Sequence, residues 1–347
     1  MKDSTRKFLK KHLGWTIVGG VLLLVAIFML VINLIPPKKN VERNPFVVAE
    51  GELPMVAAHR GGGENNPENT MLAFREAVKM GVDILESDLW LTKDGYLVYN
   101  HDSYIDRTCE THLDLTVEEI EKLPDSEKHF IKDLTLDELK GYNFGARFEK
   151  KDKDGKVSYP YREYTAVEVE AAGLQITTVE KLFGEFYQSN PDLLFIVEIK
   201  DGGDRGIQAC KVLWDALQAY PQYLDNIVVG TFHDEIETEL KTNYPDLMRG
   251  APTGTAAKFI LTQFLGVNIF DKGDFACLQI PTSYKLGITL TLDKKTIITR
   301  AHQRNIAVQY WTINDPDEMR ELIELGCDCI MTDNPQLLIE VLKEYKK

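Results

Sequence analysis

Hydrophobic positions in this chain fall into two arrangements: one unbroken run near the N-terminus, and a series of short runs alternating with stretches of helical spacing. The short runs are Met55–His59, Ile84–Leu91, Leu193–Lys200, Ile227–Thr231, Met248–Pro252, Cys277–Pro281, Ala307–Trp311 and Cys329–Thr332. Each is largely apolar rather than alternating, which predicts strands covered on both faces. Amphipathic spacing predicts helices over Thr70–Met80, Val179–Tyr187, Gly206–Tyr220, Glu235–Asn243, Ala256–Leu265, Lys294–Arg304 and Pro316–Leu325, with a last helix from Pro335 toward Tyr345. Strands separated by helices predict parallel pairing and an α/β fold. The closed solution for eight such units is a (β/α)8 TIM barrel, with an open doubly wound sheet as the alternative.

The alternation breaks after the second strand, where residues 103–175 are polar and charged and read as an insertion. A helix-start pattern occurs there twice, as Asp114-Leu-Thr-Val-Glu-Glu and Asp133-Leu-Thr-Leu-Asp-Glu. The stretch KKDKDGK at 150–156 predicts an exposed turn. Farther on, the apolar stretch Phe259–Phe270 reads as core helix plus loop, with a membrane-touching lip as the alternative.

The unbroken run, Trp15–Ile35, holds 21 residues without a charge and ends at Pro36-Pro37. As a helix it would be ~31 Å long, about the thickness of a bilayer's hydrocarbon core. It predicts a transmembrane helix over 15–35, after a basic tail over 1–14 and before a polar linker over 36–53. The barrel domain then covers 54–347. A cleaved signal peptide is the rival reading, disfavoured because the run is long and no small-residue cleavage site follows it. Five Lys/Arg precede the span and three closely follow it, so the charge bias favours a cytoplasmic N-terminus and an extracytoplasmic catalytic domain.

Charge sharpens this division. The first 43 residues carry +6, so the body carries −20 of the net −14. An acidic body excludes nucleic acid as the expected partner, because phosphate-backbone binding needs clustered Lys and Arg. Five cysteines, with no zinc-like spacing, predict buried packing residues rather than disulfides. Oligomeric state has no signature in the sequence.

Chemistry gathers at the strand ends. His59 and Arg60 stand where the first strand enters Gly61-Gly-Gly. Glu86 and Asp88 lie two apart on the second strand and so share a face; Glu198 and Lys200 repeat that spacing on the third, and His101 follows at Asn100-His-Asp. Strand C-termini converge on the mouth of such a barrel. Carboxylates inside apolar strands are costly to bury unless paired or metal-bound. Hard oxygen donors suit Ca²⁺ or Mg²⁺, and two histidines suit proton transfer near neutral pH. Metal-assisted phosphodiester cleavage fits this set, with Arg60 and Lys200 at the phosphate. The remaining histidines read as surface or packing residues.

The same residues carry a resemblance. His59-Arg-Gly, Asn66-Pro-Glu-Asn-Thr, Glu86-Ser-Asp, Thr92-Lys-Asp-Gly and His101-Asp, then Val197-Glu-Ile-Lys, Trp311-Thr-Ile-Asn and Gly326-Cys-Asp-Cys-Ile-Met-Thr-Asp-Asn-Pro, resemble the glycerophosphodiester phosphodiesterase family. The resemblance implies a TIM barrel with an insertion after the second strand. It also implies His59 and His101 as the acid–base pair and Glu86, Asp88 and Glu198 as ligands of a divalent cation. Arg60, Lys200 and Glu68 would serve the substrate side. By its place at a strand end, Trp311 reads as a wall of the pocket against the substrate's glycerol, with a core-only role as the alternative. The implied substrate is a glycerophosphodiester, yielding glycerol 3-phosphate and an alcohol, or a lysophospholipid at the bilayer. A membrane-tethered barrel that binds a phosphorylated ligand without turnover is the non-enzymatic alternative. The chain departs from the family pattern at Thr177, where Pro is usual, and at Cys329, where a smaller residue is common.

Overall fold

The computed structural model describes residues 2–264, 267 and 273–346. Eight strands form one parallel sheet: β1 (Met55–Ala58), β2 (Ile84–Leu91), β3 (Leu194–Ile199), β4 (Ile227–Gly230), β5 (Met248–Arg249), β6 (Cys277–Ile280), β7 (Ala307–Tyr310) and β8 (Cys329–Thr332). Their order is β5-β4-β3-β2-β1-β8-β7-β6, with every neighbouring pair parallel. A parallel bridge between Gly250 and Cys277 joins the two ends, with hydrogen bonds from Ala276 N to Arg249 O and from Ala251 N to Cys277 O, both 2.8 Å. The sheet therefore closes into a (β/α)8 barrel, and the open-sheet alternative is excluded. A short strand, Leu97–Tyr99, adds antiparallel to the upper half of β2 and leads into the insertion.

Helices α2 (Met71–Met80), α3 (Val179–Phe186), α4 (Gly203–Ala219), α5 (Asp234–Asn243), α6 (Thr253–Phe264), α7 (Lys295–His302), α8 (Pro316–Leu325) and α9 (Pro335–Lys343) follow the strands in turn. They form the outer ring. Their starts are set by local chemistry: Thr70, Thr178, Asp315 and Asn334 accept the first free backbone N–H groups, and Pro316 and Pro335 open their helices. Thr177, where Pro is usual, is fully buried, its carbonyl accepting from Tyr99 N. The five cysteines are all buried and unpaired.

Strand periodicity of two explains where the barrel is apolar and where it is not. Leu85, Leu89, Phe195 and Val197 face the helices and form the main core. The opposite parity faces the lumen. At its lower end that parity supplies Ala57, Ile84, Leu194, Ile196, Val228, Cys277, Ala307 and Cys329, which pack together. Continued upward, the same faces supply His59, Glu86, Asp88, Glu198, Lys200 and Asp333. The lumen is thus apolar at the floor and charged at the mouth.

The floor is closed by chain that the sequence reads as linker. Within 36–53, Phe46 is fully buried against the lumen residues. Asn44 Nδ2 donates to Ala276 O (2.8 Å) and Asn305 O (2.9 Å), while Asn40 N donates to Arg304 O (2.8 Å). Only the stretch before Asn40 is left as connection. The helix α1 (Lys2–Leu34) begins earlier than the apolar run, and its segment His12–Leu34 is long and apolar enough to cross a membrane. Its last turn meets the barrel: Ile32 is buried, and Asn33 Oδ1 accepts from Arg300 at 2.7 Å.

The insertion has its own small core of Ile105, Cys109, Ile131, Leu136, Leu139 and Phe144. Both expected helix starts form reciprocal capping boxes, Thr116 with Glu119 and Thr135 with Glu138. Lys150–Lys151 pairs with Val157–Ser158 around an exposed turn. Of the apolar stretch Phe259–Phe270, Phe259 and Ile260 are buried in the core, whereas 265, 266 and 268–270 lie outside the described residues.

Candidate active site

His59 begins the turn that ends β1. Arg60 adopts the left-handed conformation (φ 54°), and Gly61 and Gly62 follow at φ 80° and 89°. A Cβ on Gly62 would lie 2.9 Å from the Pro335 ring, and one on Gly61 3.0 Å from Ala73. Only glycine lets the loop fold this tightly onto α2 and α9. The turn aims Arg60 N at Glu86 Oε2 (3.0 Å) and leaves His59 Nε2 3.8 Å from the same oxygen.

Both candidate catalytic histidines are held by an aspartate. His59 Nδ1 lies 2.6 Å from Asp333 Oδ1, and His101 Nδ1 lies 2.8 Å from Asp102 Oδ1. A carboxylate can only accept, so each Nδ1 carries the proton and each Nε2 is left free for substrate. Asp333 is itself fixed by Asn314, whose Nδ2 donates to Asp333 Oδ2 (2.7 Å) and whose Oδ1 accepts from Asp333 N (2.9 Å). Burial pulls the His59 imidazole down, but Glu86 and Asp333 more than offset this and raise it above 6.5.

The carboxylates gather below. Lys200 Nζ sits between Asp88 Oδ1 (3.0 Å) and Glu198 Oε2 (3.1 Å), and Arg60 Nε approaches Asp88 Oδ2 at 3.7 Å. Asp88 Oδ2 is buried with no hydrogen-bond partner. Burial pushes Glu86 up to about 7, His59 opposing and Asp88 reinforcing the shift. Glu198 is raised by burial too, against the pull of Lys200. At Glu86 and Glu198 burial outweighs the positive charge nearby, and Asp88 keeps a buried oxygen without a hydrogen-bond partner. That is what a bound divalent cation would correct, so the donor set fits Ca²⁺ or Mg²⁺.

Glu68 is joined to the second dyad by a residue without an assigned role in the sequence. Arg107, from the insertion, donates from Nη1 to Glu68 Oε2 (2.9 Å), from Nη2 to Glu68 Oε1, and from Nε to Asp102 Oδ2. Despite burial, Arg107 holds the Glu68 carboxyl below its ordinary value, and the hydrogen bond from His101 together with Arg107 does the same for Asp102. Arg60 Nη1 reaches Glu68 Oε1 at 3.4 Å. A chain of contacts thus runs from His101 through Asp102, Arg107, Glu68, Arg60 and Glu86 to His59. Trp311, just beyond β7, is 39% exposed, and its peptide bond to Thr312 is cis.

Two histidines expected at the surface or in packing do more. In the insertion, His129 Nδ1 lies 2.6 Å and His112 Nε2 3.7 Å from Oδ1 of the fully buried Asp106. Among the described residues this trio, rather than Glu86, Asp88 and Glu198, brings three donor atoms within 4.8 Å of one another. It clasps the insertion one residue before Arg107.

Known proteins place this arrangement. By its sequence the chain falls in the phosphodiester-cleaving class. The sequence profile of the glycerophosphoryl diester phosphodiesterase family matches residues 59–337, and the chain belongs to that family. A glycerophosphodiester phosphodiesterase from Caldanaerobacter subterraneus subsp. tengcongensis is 26% identical over 290 residues, covering 84% of this chain and 98% of the relative. A lysophospholipase D from Rattus norvegicus is 25% identical, covering 82% and 85%. Among solved structures, an Oleispira antarctica phosphodiesterase in complex with sn-glycerol-3-phosphate superimposes with a TM-score of 0.58 at 19% identity, covering 84% of this chain and 97% of that one.

Proposed function

We propose that this chain hydrolyses glycerophosphodiesters to glycerol 3-phosphate and an alcohol, with His59 and His101 exchanging protons and Glu86, Asp88 and Glu198 holding Ca²⁺ or Mg²⁺. The observation that carries this reading is the pair of His–Asp dyads above a buried carboxylate cluster. One Nε2 accepts the proton of the attacking hydroxyl, from water or from the substrate's own glycerol. The other Nε2 donates to the leaving alkoxide as its bond to phosphorus breaks. Arg60 and Lys200 orient the phosphoryl oxygens, and Trp311 walls the glycerol side. The cation, when bound, supplies Lewis-acid charge to the phosphoryl oxygens. A chain that only binds a phosphorylated ligand would have no need of two oriented imidazoles. We further infer that residues 15–35 anchor the protein in the cell membrane as a single pass, with the barrel on the extracytoplasmic side.

Release of glycerol 3-phosphate from glycerophosphocholine is expected to vanish in EDTA and to return on adding Mg²⁺ or Ca²⁺. Activity unaffected by EDTA would falsify the metal assignment; no activity on any glycerophosphodiester would leave the binding-only class. Stability should report the same site. Glu86 has a folded pKa raised from 4.5 to about 7, so its ionisation opposes folding progressively as pH rises through that window. In EDTA, the Tm of the wild type should fall relative to Glu86→Gln between those pH values. Saturating cation should close the gap at the upper end. Parallel pH curves in EDTA would contradict the burial argument.

A further inference from the structure

We propose that the short connection at the barrel floor turns the active-site mouth away from the bilayer that carries the anchor, so that the substrate is a deacylated, water-soluble glycerophosphodiester drawn from the aqueous side. This rests on the phosphodiesterase reading and on α1 being a membrane anchor. The hydrogen bonds that fix the connecting segment to the barrel are made at the starts of strands. Asn40 bonds to the carbonyls of Arg304 and Phe275, Asn44 to those of Ala276 and Asn305, and Val48 N to the Asp328 carboxylate. These residues immediately precede or open β6, β7 and β8. His59, Lys200 and Asp333 lie just beyond the ends of β1, β3 and β8, at the opposite end of the barrel.

Reach decides the matter. Helix α1 ends at Leu34, and the linker's backbone bonds to the floor begin at Asn40. The steps between them span about 20 Å when fully extended. The barrel wall is taller: the 17 residues of α4 alone rise about 26 Å. The mouth therefore cannot invert onto the bilayer while the floor keeps its contacts. The slack is smaller still, because Ile32 is buried and Asn33 is bonded to Arg300 on the floor end of α7. A lysophospholipid whose acyl chain stays in that bilayer presents its phosphate at the floor. A soluble diester meets the mouth freely.

The test uses the full-length chain reconstituted in phosphatidylcholine vesicles with a headgroup-level lipid quencher. All five native cysteines are buried, so a fluorophore can be placed selectively at Gln222→Cys, just before β4, or at Tyr284→Cys, in the exposed hairpin after β6. Lipid should quench the first several-fold more than the second; equal or reversed quenching overturns the orientation. In parallel, the wild type should cleave glycerophosphocholine in bulk but lysophosphatidylcholine in the same bilayer at least about tenfold more slowly. A variant with roughly 30 Gly/Ser residues inserted after Pro37, a tether reaching about 30 Å, should gain on the bilayer substrate and be unchanged on the soluble one. Comparable wild-type rates on both substrates, or no gain from the longer tether, overturn the proposal. No turnover of either substrate with floor-selective quenching intact overturns the phosphodiesterase reading, and the substrate class with it, but not the orientation.

Discussion

His59→Asn should lower kcat/KM for glycerophosphocholine by roughly 10²–10⁴-fold, the range over which a positioned acid or base accelerates proton transfer. The side chain is nearly enclosed, its Nδ1 bonded to Asp333 and its Nε2 facing Glu86. Asparagine can keep a donor toward Asp333 but offers no titratable atom toward the substrate. The circular dichroism spectrum should be unchanged. His101→Asn should cost a similar factor, because its ring is set by the same kind of dyad. The double variant should lose far less than the product of the two factors, since both serve one transition state. A His59→Asn enzyme within a few-fold of wild type would remove His59 from the mechanism.

The second large effect belongs to Arg107. Arg107→Met leaves Glu68 and Asp102 as largely enclosed carboxylates without their shared cation. Breaking such a pair from one side costs about 3–5 kcal/mol. Both carboxyls are held below their ordinary values of 4.5 and 3.8 in the folded protein. Their stabilisation is therefore present above those values and is lost as pH falls below them. The Tm difference between wild type and Arg107→Met should be large at neutral pH and shrink in acid. A difference independent of pH would show that methionine perturbs packing rather than charge. The variant should also slow turnover, because Asp102 would no longer be fixed against His101.

Much of this architecture is legible in the sequence because it is written in short-range periods. All eight strands appear as apolar runs, and the change from Ile84 to Glu86 and Asp88 on one face already marks where the lumen becomes polar. The sequence underreads contacts that only closure creates. Arg107 sits in a polar insertion and looks like any surface arginine until Glu68 and Asp102 are brought to it. Asp333 and Asn314 stand within the quoted Thr-Asp-Asn-Pro and Trp-Thr-Ile-Asn stretches, yet spacing does not say that the first holds His59. Phe46 is a lone aromatic in a polar segment, without periodicity to mark it as a plug. The same holds for His112 and His129, 17 positions apart in chain and adjacent only around Asp106.

The bond from His59 to Asp333 joins residues 274 positions apart. The imidazole that the first strand delivers receives its orienting partner from the last. During synthesis the first strand leaves the ribosome at ~5–20 residues per second, long before Asp333 exists. The nascent chain therefore carries an undirected imidazole for most of its birth, and competence arrives with the final turn of the circle. Chains released before Asp333 should accumulate as inert barrels-in-progress, so that turnover in a translation reaction marks completed circles rather than total polypeptide.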